Sequence, residues 1–244
     1  MGMTHTRSAD RHDPRCPDVL SVADARIPGM VTNGVTGRAP ADGGPRSVEE
    51  LARLTARGER VKYVWFWGHR PRREGGVGPG GFSQWWPSPF TVDGVTYATA
   101  EHWMMAGKAR LFGDPDAERR ALEAGHPKQA KDAGRSVRGF DEAVWREHRF
   151  RLVVEGSVHK FGQHPGLRDY LLGTGSRVLV EASPVDRVWG IGLAADDERA
   201  ADPARWRGLN LLGFALMEAR QRLIPATESG DPADGSTSTA AVSS

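Results

Sequence analysis

One cysteine among 244 residues excludes a disulfide framework and a cysteine-ligated metal, and Cys16 lies in a polar N-terminal stretch. Long apolar runs are missing too. Nothing approaches the roughly 18 residues of a membrane-spanning helix, and the opening MGMTHTRSADRHDPR lacks the apolar stretch of a secretory signal. Charge of one sign is not in excess: 33 basic against 31 acidic residues leave +2, so no strong field argues for a membrane or nucleic-acid surface. There is no HExxH, no GxSxG, no Walker loop and no GxGxxG between a strand and a helix. The eight histidines have no ligand spacing. These absences lead to the expectation of a cytoplasmic protein with no membrane partner, no metal and no cofactor.

Three segments are expected. Residues 1–46 carry scattered Arg, Asp, Pro and Gly without periodicity and read as a disordered leader. Residues 225–244 are small and polar and read as a disordered tail. The ordered domain is 47–224. Within it, SVEELARLTARG reads as a helix capped by Ser47, with Glu50 three residues on. KYVWFWG reads as a buried strand and FTVDGVTYA as a hairpin turning on Asp-Gly. DPDAERRALEAG, HPKQAKDAGRSV and HPGLRDYLLGTG read as short helices, and RVLVEAS as a strand. The longest helical pattern is 141–163, with Val144, Phe150, Val154, Val158 and Phe161 on one apolar flank. The closing helix turns Leu209, Leu212, Leu216 and Ala219 inward. The fold class is α+β, a helix-dominated domain with a few short strands.

YATAEHWMMAGKARLFGD carries the sharpest question. Thr99 is placed to cap a helix and Gly113 to end it. Between them Glu101, Met105 and Lys108 share one face, because each residue turns the helix by about 100°. A glutamate in a first turn also suits the helix dipole, and a lone lysine also suits a wet surface. Most of the eight tryptophans fall in three places, each with polar company: Trp65 and Trp67 near His69; Trp85, Trp86 and Trp103 near Gln84 and Glu101; Trp189 near Asp186. Aromatic rings are usually core, but FSQWWPSPF, broken by Gln84 and two prolines, suits a cavity wall equally. In DRVWGIGL a glycine-flanked ring and backbone N–H groups suit a base and a phosphate. In GLNLLG a helix start with Asn210 suits an anion.

FWGH at 66–69, FSQWWPSPFTVDGVTYATAEHWMMAGKA at 82–109, DRVWGIGL at 186–193 and GLNLLG at 208–213 together resemble the NADAR family. That name stands for NAD- and ADP-ribose-associated, and the family includes bacterial riboflavin-intermediate N-glycosidases. Its helix commonly reads Ser-Glu-His-Tyr followed by two glutamines; here Glu101, His102 and Lys108 match, while Met105 and Gly107 replace the glutamines.

The resemblance implies a pocket for a ribose phosphate or ADP-ribose, and cleavage of an N-glycosidic bond in ribosylaminopyrimidine phosphates with release of ribose 5-phosphate. Glu101 and Lys108 are then the catalytic candidates, by an oxocarbenium or a Schiff-base route. Phe66, His69, Gln84, Trp85, Asp186, Trp189, Gly190, Gly192 and Asn210 are the substrate-binding candidates. Trp85 or Trp189 would stack on the heterocycle, His69, Asp186 and Asn210 would fix ribose hydroxyls, and the 190–193 backbone would hold phosphate. Arg70, Arg72 and Arg73 would reach a second phosphate or a nucleic-acid strand, or form a solvated loop. The alternatives are removal of ADP-ribose from guanine in nucleic acid, and a non-catalytic module that binds NAD or ADP-ribose. The oligomeric state is left open.

Overall fold

The computed structural model describes residues 44–70 and 76–224. The leader to residue 43, the tail from residue 225, and Arg72 and Arg73 lie outside the described residues. Seven α-helices and four short strands occur among the described residues, and the strands pair two by two. This is the helix-rich α+β class expected. None of these helices is long and apolar enough to cross a membrane.

Helix α1 (Val48–Ala56) starts where Ser47 accepts a hydrogen bond from the Glu50 amide. Strand β1 (Tyr63–Phe66) then runs parallel to β4 (Val178–Glu181), with Tyr63 opposite Val178 and Phe66 opposite Glu181. β4 buries Val178, Leu179 and Val180, whereas β1 buries only Phe66. The expected buried strand is thus half-buried: the helix Leu211–Leu223 packs on β4, while beyond its partner strand β1 meets the short turn Pro79–Phe82. Strands β2 (Phe90–Val92) and β3 (Val95–Tyr97) form the expected hairpin. Asp93 and Gly94 both take positive φ at its turn, the geometry that matches strand twist.

Helix α2 (Ala100–Leu111) is the axis of the fold, and ten of its twelve residues are buried. Thr99 stands at its N-cap position, but its hydroxyl bonds the His102 ring at 2.8 Å instead of a backbone amide. The other His102 nitrogen bonds the Ala124 carbonyl at 2.9 Å, so this histidine is a satisfied internal tie. Helices α3 (Pro115–Leu122) and α4 (Pro127–Arg135) cover one side of α2, and α5 (Glu142–Gln163) covers another. Two glycines set these approaches. A side chain at Gly156 of α5 would collide with the Trp103 indole, and one at Gly134 of α4 would collide with Met105.

The apolar flank expected on α5 is only part of its buried surface. Trp145, Leu152, Val153 and the charged Arg149 and Lys160 are buried alongside Val154 and Phe161, while Val144, Phe150 and Val158 are half-buried. The helix is wedged between α2 and α7 (Leu211–Leu223), so more than one of its faces is covered. Helix α6 (Pro165–Leu172) follows α5 directly. In α7, Leu212, Leu216 and Ala219 are buried as expected, but Leu209 is exposed. It precedes the helix, whose cap is Asn210 in the left-handed conformation, and so falls outside the helical phase.

Candidate active site

Because β1 and β4 are parallel, their carboxyl ends lie at the same end of the sheet, where chain leaving the two strands frames a crevice. A cavity of about 520 Å³ opens there, within the usual range for small-molecule sites. Trp67, Gly68 and His69 enter its wall from the end of β1, and Glu181, Ser183, Val185, Asp186 and Trp189 from the end of β4. The 83–85 segment adds Ser83, Gln84 and Trp85; α2 adds Glu101, Met104, Met105 and Lys108; α4 adds Lys131, Gly134 and Arg135. The face singled out on α2 is therefore a pocket wall.

Glu101 sits in the first turn of α2, 3% exposed, and its backbone amide donates to the Gln84 carbonyl at 3.0 Å. That bond ties the 83–85 segment to the helix start. Its Oε1 is buried without a hydrogen-bond partner. Burial pushes the carboxyl up to about 7, although Lys131 and the Trp85 side chain pull the other way. Glu181 ends β4, and its Oε2 is likewise buried and unpartnered. Burial, with Asp186 and Glu101 adding repulsion, pushes it up to about 8. Two acids that native packing leaves open are costly to bury. Both stand on the wall of the cavity.

Asp186 is partly engaged: one carboxylate oxygen accepts from the Val188 and Trp189 amides at 2.8 and 2.7 Å, fixing the turn that presents the Trp189 ring. Trp85 lies between His69 and His126, each with a ring-centroid distance of 5.8 Å. Lys131 stands 6.0 Å from the Trp85 ring. Lys108 rests against the faces of Phe140, at 4.0 Å, and Trp145, at 5.4 Å. Burial lowers its pKa, and Glu142 opposes that effect.

The structure thus brings Glu101, Lys108, His69, Gln84, Trp85, Asp186 and Trp189 to one cavity. Phe66, Gly190, Gly192 and Asn210 are not on its wall. Phe66 packs edge-on to Phe82 at 5.4 Å as strand core. Asn210 is fully buried, accepting from the Glu181 amide at 3.0 Å and donating to the Leu179 carbonyl at 2.9 Å. Buried and off the cavity wall, it is out of reach of a ribose hydroxyl, and it holds β4 to the start of α7. The first amides of α7 do not await an anion either, since Leu211 and Leu212 donate to the Val188 and Trp189 carbonyls.

The 190–193 backbone is turned inward in the same way. Ile191 donates to the Glu181 carbonyl and Gly192 to that of Asp186, while Gly190 packs against both carbonyls. Two amides of the expected phosphate cradle are thereby taken, and Gly190 and Gly192 lie off the cavity wall. Arg70 is exposed and off the cavity wall.

Sequence reasoning missed Glu181, Lys131 and Arg135. The signal for Glu181 was a glutamate ending an otherwise apolar strand. Lys131 and Arg135 flank Gly134 on a helix the sequence marks only as short, and that small residue alone hinted at a close approach.

The NADAR domain family matches residues 65–224. The chain is 42% identical over 168 residues to N-glycosidase R617 of Acanthamoeba polyphaga mimivirus, covering 67% of this chain and 97% of that protein. It is 33% identical over 152 residues to the chloroplastic Riboflavin biosynthesis protein PYRR of Zea mays, covering 58% of this chain and 23% of that one. The NMR structure of the Escherichia coli protein YbiA is similar with a TM-score of 0.54 and 27% identity, over 67% of this chain and 86% of that chain.

Proposed function

We propose, from the premise that this chain belongs to the NADAR domain family, that it is an N-glycosidase acting on ribosylaminopyrimidine phosphates and releasing ribose 5-phosphate. The observation that carries the reading is a pair of acids, the buried Glu101 and the half-buried Glu181, each with a buried, unpartnered oxygen on one cavity. The likeness to N-glycosidase R617 supports the reaction class, and that to the riboflavin biosynthesis protein PYRR supports the heterocycle.

Breaking the bond between C1′ and nitrogen requires a proton on the departing nitrogen and a negative charge near the sugar cation. Glu181, with its carboxyl raised to about 8, carries a proton at neutral pH and hands it to the leaving amine. Glu101, raised only to about 7, is ionised in a share of molecules and lies opposite the developing charge. It then takes a proton from the water that adds to C1′. Trp85 and Trp189 clasp the heterocycle, while His69 and Asp186 meet ribose hydroxyls.

Lys108 offers a second route to the same products. Burial favours its neutral amine, which can add to C1′ of the ring-opened imine, expel the aminopyrimidine and leave a Schiff base for water to hydrolyse. A larger substrate, ADP-ribosylated guanine, is favoured by one feature, the exposed Trp67 and Val185 at the cavity rim (61% and 86% exposed).

The test is mass-spectrometric turnover of a ribosylaminopyrimidine phosphate and of ADP-ribosylated guanine in DNA, with and without borohydride. Release of ribose 5-phosphate is expected, and a trapped adduct on Lys108 would select the Schiff-base route. No release from either substrate, with tight binding of ADP-ribose, would replace the enzyme by a binding module.

A further inference from the structure

We propose that Lys131 and Arg135 of α4 form a phosphate subsite that receives the phosphate ester on C5′ of the ribose being cleaved. The proposal rests on the glycosidase reading above. Its starting point is a conflict of charge. Asp186 and Glu101, the latter ionised in a share of molecules, stand on the wall, and an anionic substrate needs a counter-charge to enter beside them. Lys131 and Arg135, one helical turn apart, line the same cavity, and both act electrostatically on Glu101.

These two hold little else. Neighbouring cations are engaged: Arg138 bonds Asp114 at 2.8 Å, Lys128 bonds Asp132 at 2.8 Å and Arg110 pairs with Glu118 at 3.3 Å. Lys131 makes no ion pair among the described residues. Arg135 reaches only Asp132 at 3.5 Å, with both side chains largely in water. Gly134 lets α4 close on Met105 and brings the flanking cations to the wall. Other anion holders, the amides of Ile191 and Gly192 and those of Leu211 and Leu212 at the start of α7, are taken by internal hydrogen bonds. An ammonium and a guanidinium together match a phosphate's charge and its several acceptor oxygens.

The experiment uses the full chain and the double variant Lys131→Met, Arg135→Gln. Calorimetry compares ribose 5-phosphate, ribose and ADP-ribose. Kinetics compare kcat/KM for a ribosylaminopyrimidine 5′-phosphate with that for its dephosphorylated form. Taking this ratio cancels any change that loss of Lys131 makes at Glu101.

We expect the double variant to weaken ribose 5-phosphate binding about 100-fold and to lower the kinetic ratio by a similar factor. Unchanged binding together with an unchanged ratio would overturn the subsite. Loss of ribose 5-phosphate binding in the variant, with no turnover by the wild type, would keep the subsite and remove the glycosidase reading. Loss confined to ADP-ribose would also support the subsite and assign it to a diphosphate.

Discussion

Two regions of this molecule bury ionisable groups, and they treat them in opposite ways. On α5, Lys160 is fully buried, yet it donates to the Gly81 and Ser83 carbonyls at 2.7 and 2.8 Å. Burial lowers its pKa to about 7, and no carboxylate is needed to hold it. At the cavity, Glu101 is nearly as deep and Glu181 is half-buried, and each keeps a buried oxygen without a partner. Depth alone therefore does not mark a functional group. An unpartnered oxygen on a cavity wall does, whereas the unpartnered Tyr63 hydroxyl and Arg168 Nε lie off the cavity. A satisfied buried charge is a fastener, here pinning the chain that leads into Ser83, Gln84 and Trp85. An unsatisfied one is stored cost, retained where a ligand will meet it.

The largest effect should come from removing the open group. Glu101→Gln keeps the shape and is expected to lower kcat about 10³-fold, or about 4 kcal/mol, in single-turnover assays. Near-normal turnover would take Glu101 out of the chemistry. In the wild type, kcat should follow a bell, rising with pH as Glu101 ionises near 7 and falling as Glu181 loses its proton near 8. A profile flat from pH 6 to 9 would dissolve the division of labour.

The same substitution sharpens the contrast from the side of stability. The folded protein binds the Glu101 proton more tightly than the unfolded chain does, since the carboxyl is raised from 4.5 to about 7. Stability is therefore lost as pH climbs between those values, and the deficit is complete above them. Glu101→Gln should stabilise the protein by ~3 kcal/mol at pH 8, with most of that gain gone at pH 5, read from denaturant midpoints at both pH values.

Lys160→Met should do the reverse. Leaving the Gly81 and Ser83 carbonyls unpaired should destabilise by about 2 kcal/mol and raise KM, because the adjoining wall loosens. A stabilised Lys160→Met variant would break the comparison. The smallest effect concerns another satisfied group: Thr99→Ala removes one of two His102 partners and should cost about 1 kcal/mol in thermal unfolding, with turnover retained.

Local chemistry was legible from the residues. Ser47 capping α1, Asp-Gly turning β2 into β3 and the shared face of Glu101, Met105 and Lys108 each depend on neighbours within a turn or two. Pairings across the chain were not. Nothing in RVLVEAS announces that Glu181 will stand opposite Phe66 beside Glu101. Asn210 illustrates the converse. An asparagine at a helix start has the same letter whether it meets a ligand or joins α7 to β4, and only the partners decide. Lys131 and Arg135 stayed out of the site because periodicity fixes a helix's phase without naming what faces it.

The clasp on α2 also bears on how this fold can change over generations. With Gly156 pressed on Trp103 and Gly134 on Met105, most single replacements at those glycines would force the axis to shift, carrying Glu101 and Lys108 with it. Variation is thereby channelled elsewhere. The exposed Trp67 and Val185 can be exchanged with little disturbance to the interior. New substrates would be explored at the rim while the reacting groups are inherited intact, which makes the rim the place to begin any directed evolution of this protein.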